Sequence, residues 1–284
     1  MALNVPVFFK RLGSAIVFVA IMLTGLLWNE WSFLALVCLI NFLCLREFFR
    51  LMQHIDKESY WPWWLPAKVQ AAAFIFVLLV FFEVRGYYHE LFDAAKLLAA
   101  FAIVFAGVFM LVAILPKQTA WKACMQSFFG LLYISVPMCL LVILHQAHPY
   151  VPLFILLLIW TNDTCAYLAG SFIGKTPFSE ISPKKTWEGV IGGTILTIGV
   201  AMAIGYFYSG SASIFAHISA FAVSAFIVSV AGPAGDLLKS KFKRMANVKD
   251  SGNLMPGHGG ALDRFDSLIM VTPFIFVYVM YFMR

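Results

Sequence analysis

Acidic side chains at the edges of apolar segments are the residues of this sequence that point most directly to chemistry. Asp263 and Asp266 are three positions apart, on one face of the helix leading into the last apolar segment. Like charges at this spacing repel, and Mg²⁺, which takes one or two carboxylates together with phosphate oxygens, would stabilise the pair. Asp236 shares a predicted helix face with Ser240, and Asp163 interrupts an apolar run where a charge needs a polar partner. Asp263 and Asp266 are therefore candidate metal ligands, and Asp236 and Asp163 are further acids whose placement calls for polar partners.

Two lysines at a predicted helix start form a candidate phosphate site. Ser182 followed by Pro183 is typical of a helix N-cap and first helical position. Lys184 and Lys185 then fall in the first turn, where the helix dipole disfavours cations. A phosphate held there by backbone N–H groups and both lysines would remove the conflict. The alternative is that the lysines only anchor the chain on the cytoplasmic side.

The segment 232–267 is the most polar long stretch of the sequence. Its Gly259-Gly260 pair lets backbone N–H groups approach a phosphate closely. The polar and basic residues near it are Ser240, Lys243, Arg244, Lys249, His258 and Arg264. A solvated cytoplasmic loop would explain the basic residues but not the placement of the carboxylates. For Asp163 the alternative is a cap of a broken helix, and Glu47 is expected at a span end where water solvates it.

Composition excludes a soluble globular domain. Of the 284 residues, 62% are hydrophobic and 12% are charged, whereas soluble domains are about 45–50% apolar and about 25% charged. The net charge of +6 indicates the basic cytoplasmic loops of a membrane protein rather than a nucleic-acid partner.

Nine apolar segments are long enough to span a membrane as helices, which need about 20 residues each. With the N-terminus inside, nearly all lysines and arginines fall on the cytoplasmic side. The sequence therefore predicts an all-α polytopic membrane protein of about nine transmembrane helices, with the N-terminus cytoplasmic and the C-terminus outside. We expect a single membrane domain, 1–284, in which 1–150 holds the N-terminal helices and 151–284 the catalytic helices and cytoplasmic motif loops. The predicted spans are 12–28, 33–49, 67–84, 94–115, 127–144, 151–173, 190–209, 214–231 and 267–283.

One long pattern resembles the signature of a known enzyme family. Residues 240–266 read S-x-F-K-R-x4-K-D-x-G-x2-M-P-x-H-G-G-A-x-D-R-F-D, which closely resembles the signature of the phosphatidate cytidylyltransferases, the CDP-diacylglycerol synthases. The Asn162-Asp163 segment and residues 182–189 look like motifs of the same family, in the same order. Met255 and Ala261 depart mildly from its usual residues, at apolar packing positions.

The resemblance implies that CTP and phosphatidate react to give CDP-diacylglycerol and pyrophosphate, in a homodimer of a nine-helix membrane fold. It implies dependence on Mg²⁺, with a second site for K⁺. Asp236 and Asp263 become the best metal ligands, with Asp266 and Asp163 nearby. The implied catalytic residues are Asp236, Asp263, Lys184 and Lys185, of which the two lysines bind phosphate or lipid headgroup. The implied binders of phosphate or lipid headgroup are Ser182, Ser240, Lys243, Arg244, Lys249, His258, Gly259, Gly260 and Arg264. The implied location is the bacterial cytoplasmic (inner) membrane, with the active site facing the cytoplasm.

Two alternatives belong to other activities. A related enzyme could transfer the cytidylyl group to another membrane lipid or act as a CTP-dependent lipid kinase. A transporter could also place Asp163 at mid-membrane, but it would not need the Gly-His-Gly-Gly loop at 257–260 or the paired aspartates.

Overall fold

The computed structural model describes residues 5–57, 61–86, 120–183, 185–208, 214–252 and 259–283. Within these ranges the regular structure is helical, and an isolated antiparallel bridge joins Pro177 to Thr186. The predicted all-α class is therefore confirmed for the described part of the chain. The helices are α1 (Val5–Leu27), α2 (Glu30–Ile55), α3 (Leu65–Gly86), α4 (Ala120–Gly130), α5 (Val136–Ala147), α6 (Val151–Ile173), α7 (Trp187–Tyr208), α8 (Ile214–Met245) and α9 (Leu262–Phe282), with a π-helical turn, Leu131–Ser135, joining α4 to α5.

Seven helical stretches among the described residues are long and apolar enough to cross a membrane. They match seven of the predicted spans: α2, α3, the continuous α4–α5 stretch, and each helix from α6 to α9. The predicted span 12–28 coincides with α1, in which the stretch with described side chains, Gly13–Leu27, is apolar. The predicted span 94–115 lies outside the described residues. The count of nine and the sides of the two termini stay predictions.

The chain divides into two compact units, and the first combines Met1–Pro149 with Phe242–Phe265. Its core is aromatic, because the ring of the fully buried Phe48 lies with its centroid 5.9–6.3 Å from those of four other rings. The four rings belong to Phe49, Phe129, Tyr133 and Phe242. Offset and edge-to-face rings at such distances stabilise a core beyond simple area burial. Phe242 thereby anchors the start of the segment that leads to the Gly259-Gly260 pair.

The second unit combines Tyr150–Lys241 with Asp266–Arg284. Its helices α6 and α7 pack through small residues, since a Cβ atom added at Gly193 would lie 2.7–2.9 Å from atoms of Ala166. At Gly189 an added Cβ would lie 2.9 Å from the Ala166 carbonyl oxygen. Small residues that let helix backbones approach are typical of helix pairs in membranes. Large apolar side chains such as Ile195 and Phe172 are exposed elsewhere on these helices, as a lipid environment permits.

Candidate functional site

A chain of alternating charges lies within the second unit. The Lys239 ammonium on α8 lies 2.6 Å from Asp236 Oδ1 and 2.7 Å from Asp266 Oδ2 on α9. The Lys185 ammonium lies 2.5 Å from the other Asp236 oxygen. Two cations therefore alternate with two carboxylates, and the charges compensate one another although the Lys239 and Asp266 side chains are only 7% and 6% exposed. Buried charges need this compensation because an unpaired one loses its hydration without replacement.

The backbones of α8 and α9 approach closely beside this cluster. A Cβ atom added at Gly235 would lie 2.6 Å from the Asp266 carbonyl oxygen and 2.8 Å from Met270 Cβ. Ser267 donates a hydrogen bond from its hydroxyl to the Gly232 carbonyl at 3.2 Å and from its N–H to Asp266 Oδ1 at 2.8 Å. The glycines let α9 come near enough for Asp266 to reach the lysine of α8. Residues 236–244 are helical, so the prediction that Asp236 and Ser240 lie on one helix face is confirmed.

A hydrogen-bonded hairpin positions Lys185. Glu188, in the first turn of α7, accepts hydrogen bonds from the Lys175 N–H at 3.1 Å and from the Thr176 hydroxyl at 2.8 Å. The Phe178 N–H donates to the Lys185 carbonyl at 2.7 Å, and the Trp187 N–H donates to the Thr176 carbonyl at 3.0 Å. These bonds fix the backbone of Lys185 just before the helix, so that its side chain meets Asp236.

The predicted helix start at Ser182 is wrong. Helix α7 begins at Trp187, and the Thr186 hydroxyl caps it by accepting a hydrogen bond from the Gly189 N–H at 3.2 Å. Ser182 instead takes part in two turns, accepting from the Lys185 N–H and donating its own N–H to the Ser179 carbonyl. The hairpin uses the backbone of Lys185, which therefore cannot enter the first turn of a helix. Lys184 lies outside the described residues.

Asp263 forms a second cluster, which lies in the first unit. Its Oδ1 accepts from the Lys243 ammonium at 2.7 Å, while Oδ2 accepts from the N–H groups of Ser251 at 2.9 Å and Gly260 at 3.2 Å. Gly259 has φ +83°, where a side chain would be strained, and a Cβ there would lie 2.9 Å from Asp263 Oδ2. In this structure the glycine pair thus wraps the carboxylate of Asp263. The Gly260 N–H that the sequence suggested for phosphate is hydrogen-bonded to that carboxylate.

Sequence reasoning missed Glu47, which is buried beside this second cluster. Its Oε1 accepts from the Ala261 N–H at 2.8 Å, and its Oε2 accepts from the Leu262 N–H at 2.9 Å and the Ser251 hydroxyl at 2.6 Å. The expectation that water solvates this acid is wrong, since the residue is 6% exposed. Cys44 and Leu51, which lie three positions before and four positions after Glu47 on the same face of α2, are both buried and were the available signal that this face packs inward.

The remaining predicted residues differ in exposure. Ser240 is half-buried, and Asp163, Arg244, Lys249 and Arg264 are exposed. His258 lies outside the described residues.

The acids fit Mg²⁺ in the kind of donor that they offer. Among the described residues no three His, Cys, Asp or Glu side chains form a group that could hold a metal by themselves. Mg²⁺, however, usually takes only one or two carboxylates and completes its shell with phosphate oxygens and water. Asp236 and Asp266 already converge on one cation, the Lys239 ammonium, and the Asp236 side chain is 23% exposed. Asp263 belongs to the other unit, so a metal shared by Asp236 and Asp263 stays a prediction.

Comparisons with known proteins give consistent matches. A family model described as the cytidylyltransferase family matches residues 9–282. The phosphatidate cytidylyltransferase of Haemophilus influenzae is 41% identical over 144 residues, which are 49% of this chain and 50% of that protein. The Staphylococcus aureus (strain COL) phosphatidate cytidylyltransferase is 43% identical over 124 residues, 43% of this chain and 46% of the relative. Phosphatidate cytidylyltransferase 4, chloroplastic, of Arabidopsis thaliana is 44% identical over 118 residues, which are 42% of this chain and 29% of that protein. The matched region spans half or less of these curated relatives.

Proposed function

The chain belongs to the cytidylyltransferase family, and on this premise we propose that it is a membrane-embedded phosphatidate cytidylyltransferase. It joins CTP to phosphatidate and releases CDP-diacylglycerol and pyrophosphate. Three relatives that bear this name, from two bacteria and a plant, support the choice of acceptor. The observation that carries the proposal is the Lys185–Asp236–Lys239–Asp266 charge chain, which lies inside the matched region and offers both anion-binding and cation-binding groups.

The reaction needs charge neutralisation more than it needs a base. A phosphatidate phosphate oxygen is already a nucleophile, and it attacks the α-phosphorus of CTP as the bond to the β-phosphate oxygen breaks. The barrier comes from repulsion between two anions and from the charge that develops on the leaving pyrophosphate. Lys185, whose side chain is 32% exposed, exchanges its carboxylate partner for a substrate phosphate. Lys239, held between two carboxylates, keeps them in place while this exchange occurs.

Mg²⁺ would be held by Asp236, with Asp263 or Asp266 as a second carboxylate ligand, and would supply charge stabilisation at the phosphates when bound. K⁺ is proposed as a second ion at the same acidic site. Asp163, exposed on α6, is the further acid proposed near the ions.

The proposed setting is the cytoplasmic (inner) membrane of a bacterium, with a homodimer as the working form. Seven apolar helices among the described residues support membrane insertion. The site faces the cytoplasm because CTP is a soluble nucleotide of that compartment.

Incubation of the purified protein with radiolabelled CTP and a panel of lipids tests the proposal. We expect label in a lipid product and release of pyrophosphate with phosphatidate, and neither with diacylglycerol. Release of CDP together with phosphorylation of diacylglycerol would identify a lipid kinase instead. Cytidylyl transfer to a different lipid phosphate would correct the acceptor but keep the reaction type.

A further inference from the structure

We propose that Glu47 is a positioning residue, which fixes the first turn of α9 and thereby the carboxylate of Asp263 for the reaction. This inference rests on the proposed function. All of the groups involved belong to the first unit: Glu47 on α2, Ser251, and the α9 start with Ala261 and Leu262.

Glu47, on another helix, caps the start of α9. The first N–H groups of a helix have no partner within the helix. Two of the N–H groups at this start, those of Ala261 and Leu262, donate to the two different oxygens of Glu47 at 2.8 and 2.9 Å. A carboxylate is also favourable beside the positive end of the helix dipole. The start of α9 is therefore fixed to α2, a helix whose Phe48 and Phe49 are packed in the aromatic core.

Ser251 connects Glu47 to Asp263. Its hydroxyl lies 2.6 Å from Glu47 Oε2 and 3.0 Å from Asp263 Oδ2, and its N–H donates to Asp263 Oδ2 at 2.9 Å. The hydroxyl has one hydrogen, so it can donate to only one of the two carboxylates at a time. A change at Glu47 therefore alters the hydrogen bonding of Asp263 without touching Asp263 itself.

The segment is shaped around the Glu47 carboxylate. A Cβ atom added at Gly252 or at Gly260 would overlap an oxygen of Glu47. A side chain at either position would therefore displace the Glu47 carboxylate. This steric requirement is independent of the hydrogen bonds, and it indicates that the acid and the segment fit each other closely.

Glu47→Gln is the informative change, because it keeps the shape and removes one acceptor. The glutamine amide has one oxygen and one NH₂ group. Whichever way it is turned, the NH₂ group faces the N–H of Ala261 or of Leu262, and one of the two bonds is lost. We expect kcat for CDP-diacylglycerol formation to fall about 10- to 100-fold, the range that small misplacements of reacting groups produce. We expect Glu47→Asp, which keeps two acceptor oxygens, to recover part of the loss.

Ser135→Ala is the matched control in the same unit. The Ser135 hydroxyl donates to the Asn41 side chain at 2.9 Å, and both residues are buried. Asn41 lies on α2, as Glu47 does. The control variant thus loses a buried hydrogen bond to α2 but leaves the start of α9 intact. We expect a lower melting temperature with an unchanged kcat for the folded protein.

Hydrogen–deuterium exchange of the full-length protein gives a readout that does not depend on activity. In Glu47→Gln the amides of Ala261 and Leu262 should exchange several-fold faster than in wild type, and in Ser135→Ala they should not. Equal exchange in Glu47→Gln and wild type, or an equal loss of kcat in both variants, would overturn the positioning role. If wild-type protein makes no CDP-diacylglycerol, the proposed function fails, while the exchange data still decide whether Glu47 holds α9.

Discussion

At the scale of single residues, the Lys239 ammonium joins two carboxylates while its side chain is 7% exposed. Lys239→Met keeps much of the side-chain length but leaves Asp266 buried without its cation. Breaking a buried ion pair from one side costs about 3–5 kcal/mol, so we expect a large drop in melting temperature. The additional change Asp266→Asn should recover much of this stability, because it removes the unpaired charge. Thermal unfolding in detergent measures both variants.

Lys241→Met is the matched control for that prediction, since Lys241 is exposed on the same helix. A fall in melting temperature as large as that of Lys239→Met would show that the charge chain is not the cause.

The acids proposed to hold Mg²⁺ give a second prediction at this scale. Asp236→Asn and Asp263→Asn keep the side-chain shape but remove the charge, and we expect each to abolish turnover and stabilisation by added Mg²⁺. Asp250→Asn should reduce turnover and stabilisation by Mg²⁺ much less, because Asp250 is exposed. Activity and melting temperature against Mg²⁺ concentration test all three. Good activity with unchanged Mg²⁺ dependence in Asp263→Asn would mean that the ion is held elsewhere.

Individual residues also show where sequence reasoning succeeds and fails. Asp263 and Asp266 could be identified from the sequence alone, because they are only three positions apart and repulsion between neighbours on one helix face is a local effect. The predicted cap at Ser182 was wrong because the hairpin competes with it. The hydrogen bonds between Phe178 and Lys185 and between Trp187 and Thr176 place the helix start at Trp187. The partners of Glu47 could not be found by spacing, since they begin 204 positions later in the chain.

At the scale of elements, the close packing of α6 on α7 depends on one glycine more than on another. In Gly193→Ala the new Cβ would meet Ala166 atoms at 2.7–2.9 Å, whereas a Cβ at Gly199, also on α7, has no neighbour within 4 Å. Alanine is the better helix former by roughly 1 kcal/mol. We therefore expect Gly193→Ala to lower the melting temperature and Gly199→Ala to leave it unchanged or raise it.

Melting temperatures of the two alanine variants, measured side by side, test the packing argument. Because the gain in helix propensity is the same at both positions, the difference in melting temperature between the variants measures only the clash with Ala166. Equal melting temperatures would show that α6 moves aside without cost.

Hydropathy was enough to predict that a helix is present, but it predicted the residues at which a helix ends less well. The predicted span 214–231 found α8 but ended before the helix does, at the point where Gly232 and Pro233 locally disfavour a helix. The helix continues through Pro233 to Met245, and this extension carries Asp236 and Lys239. Long-range packing, such as that of Phe242 in the aromatic core, stabilises a continuation that local propensity disfavours.

For the whole molecule, the charge distribution predicts that the N-terminus and residues 174–189 and 232–266 face the cytoplasm. Cysteine placed at the exposed position Asp250 should react with a membrane-impermeant maleimide only after cells are permeabilised. Cysteine at His148, which is also exposed and predicted to be outside, should react in intact cells. A background without the five native cysteines is required. Labelling of position 250 in intact cells would contradict both the topology and the use of cytosolic CTP.

The long reach of Glu47 has a consequence for how the chain is made. Its donors are 204, 214 and 215 positions further along, so a ribosome adding about 5–20 residues per second delivers them roughly 10–40 s later. Until then α2 is a nascent helix whose carboxylate must be solvated by water or shielded by a chaperone. The unit that contains the first helices to leave the ribosome is therefore completed only when translation is nearly over.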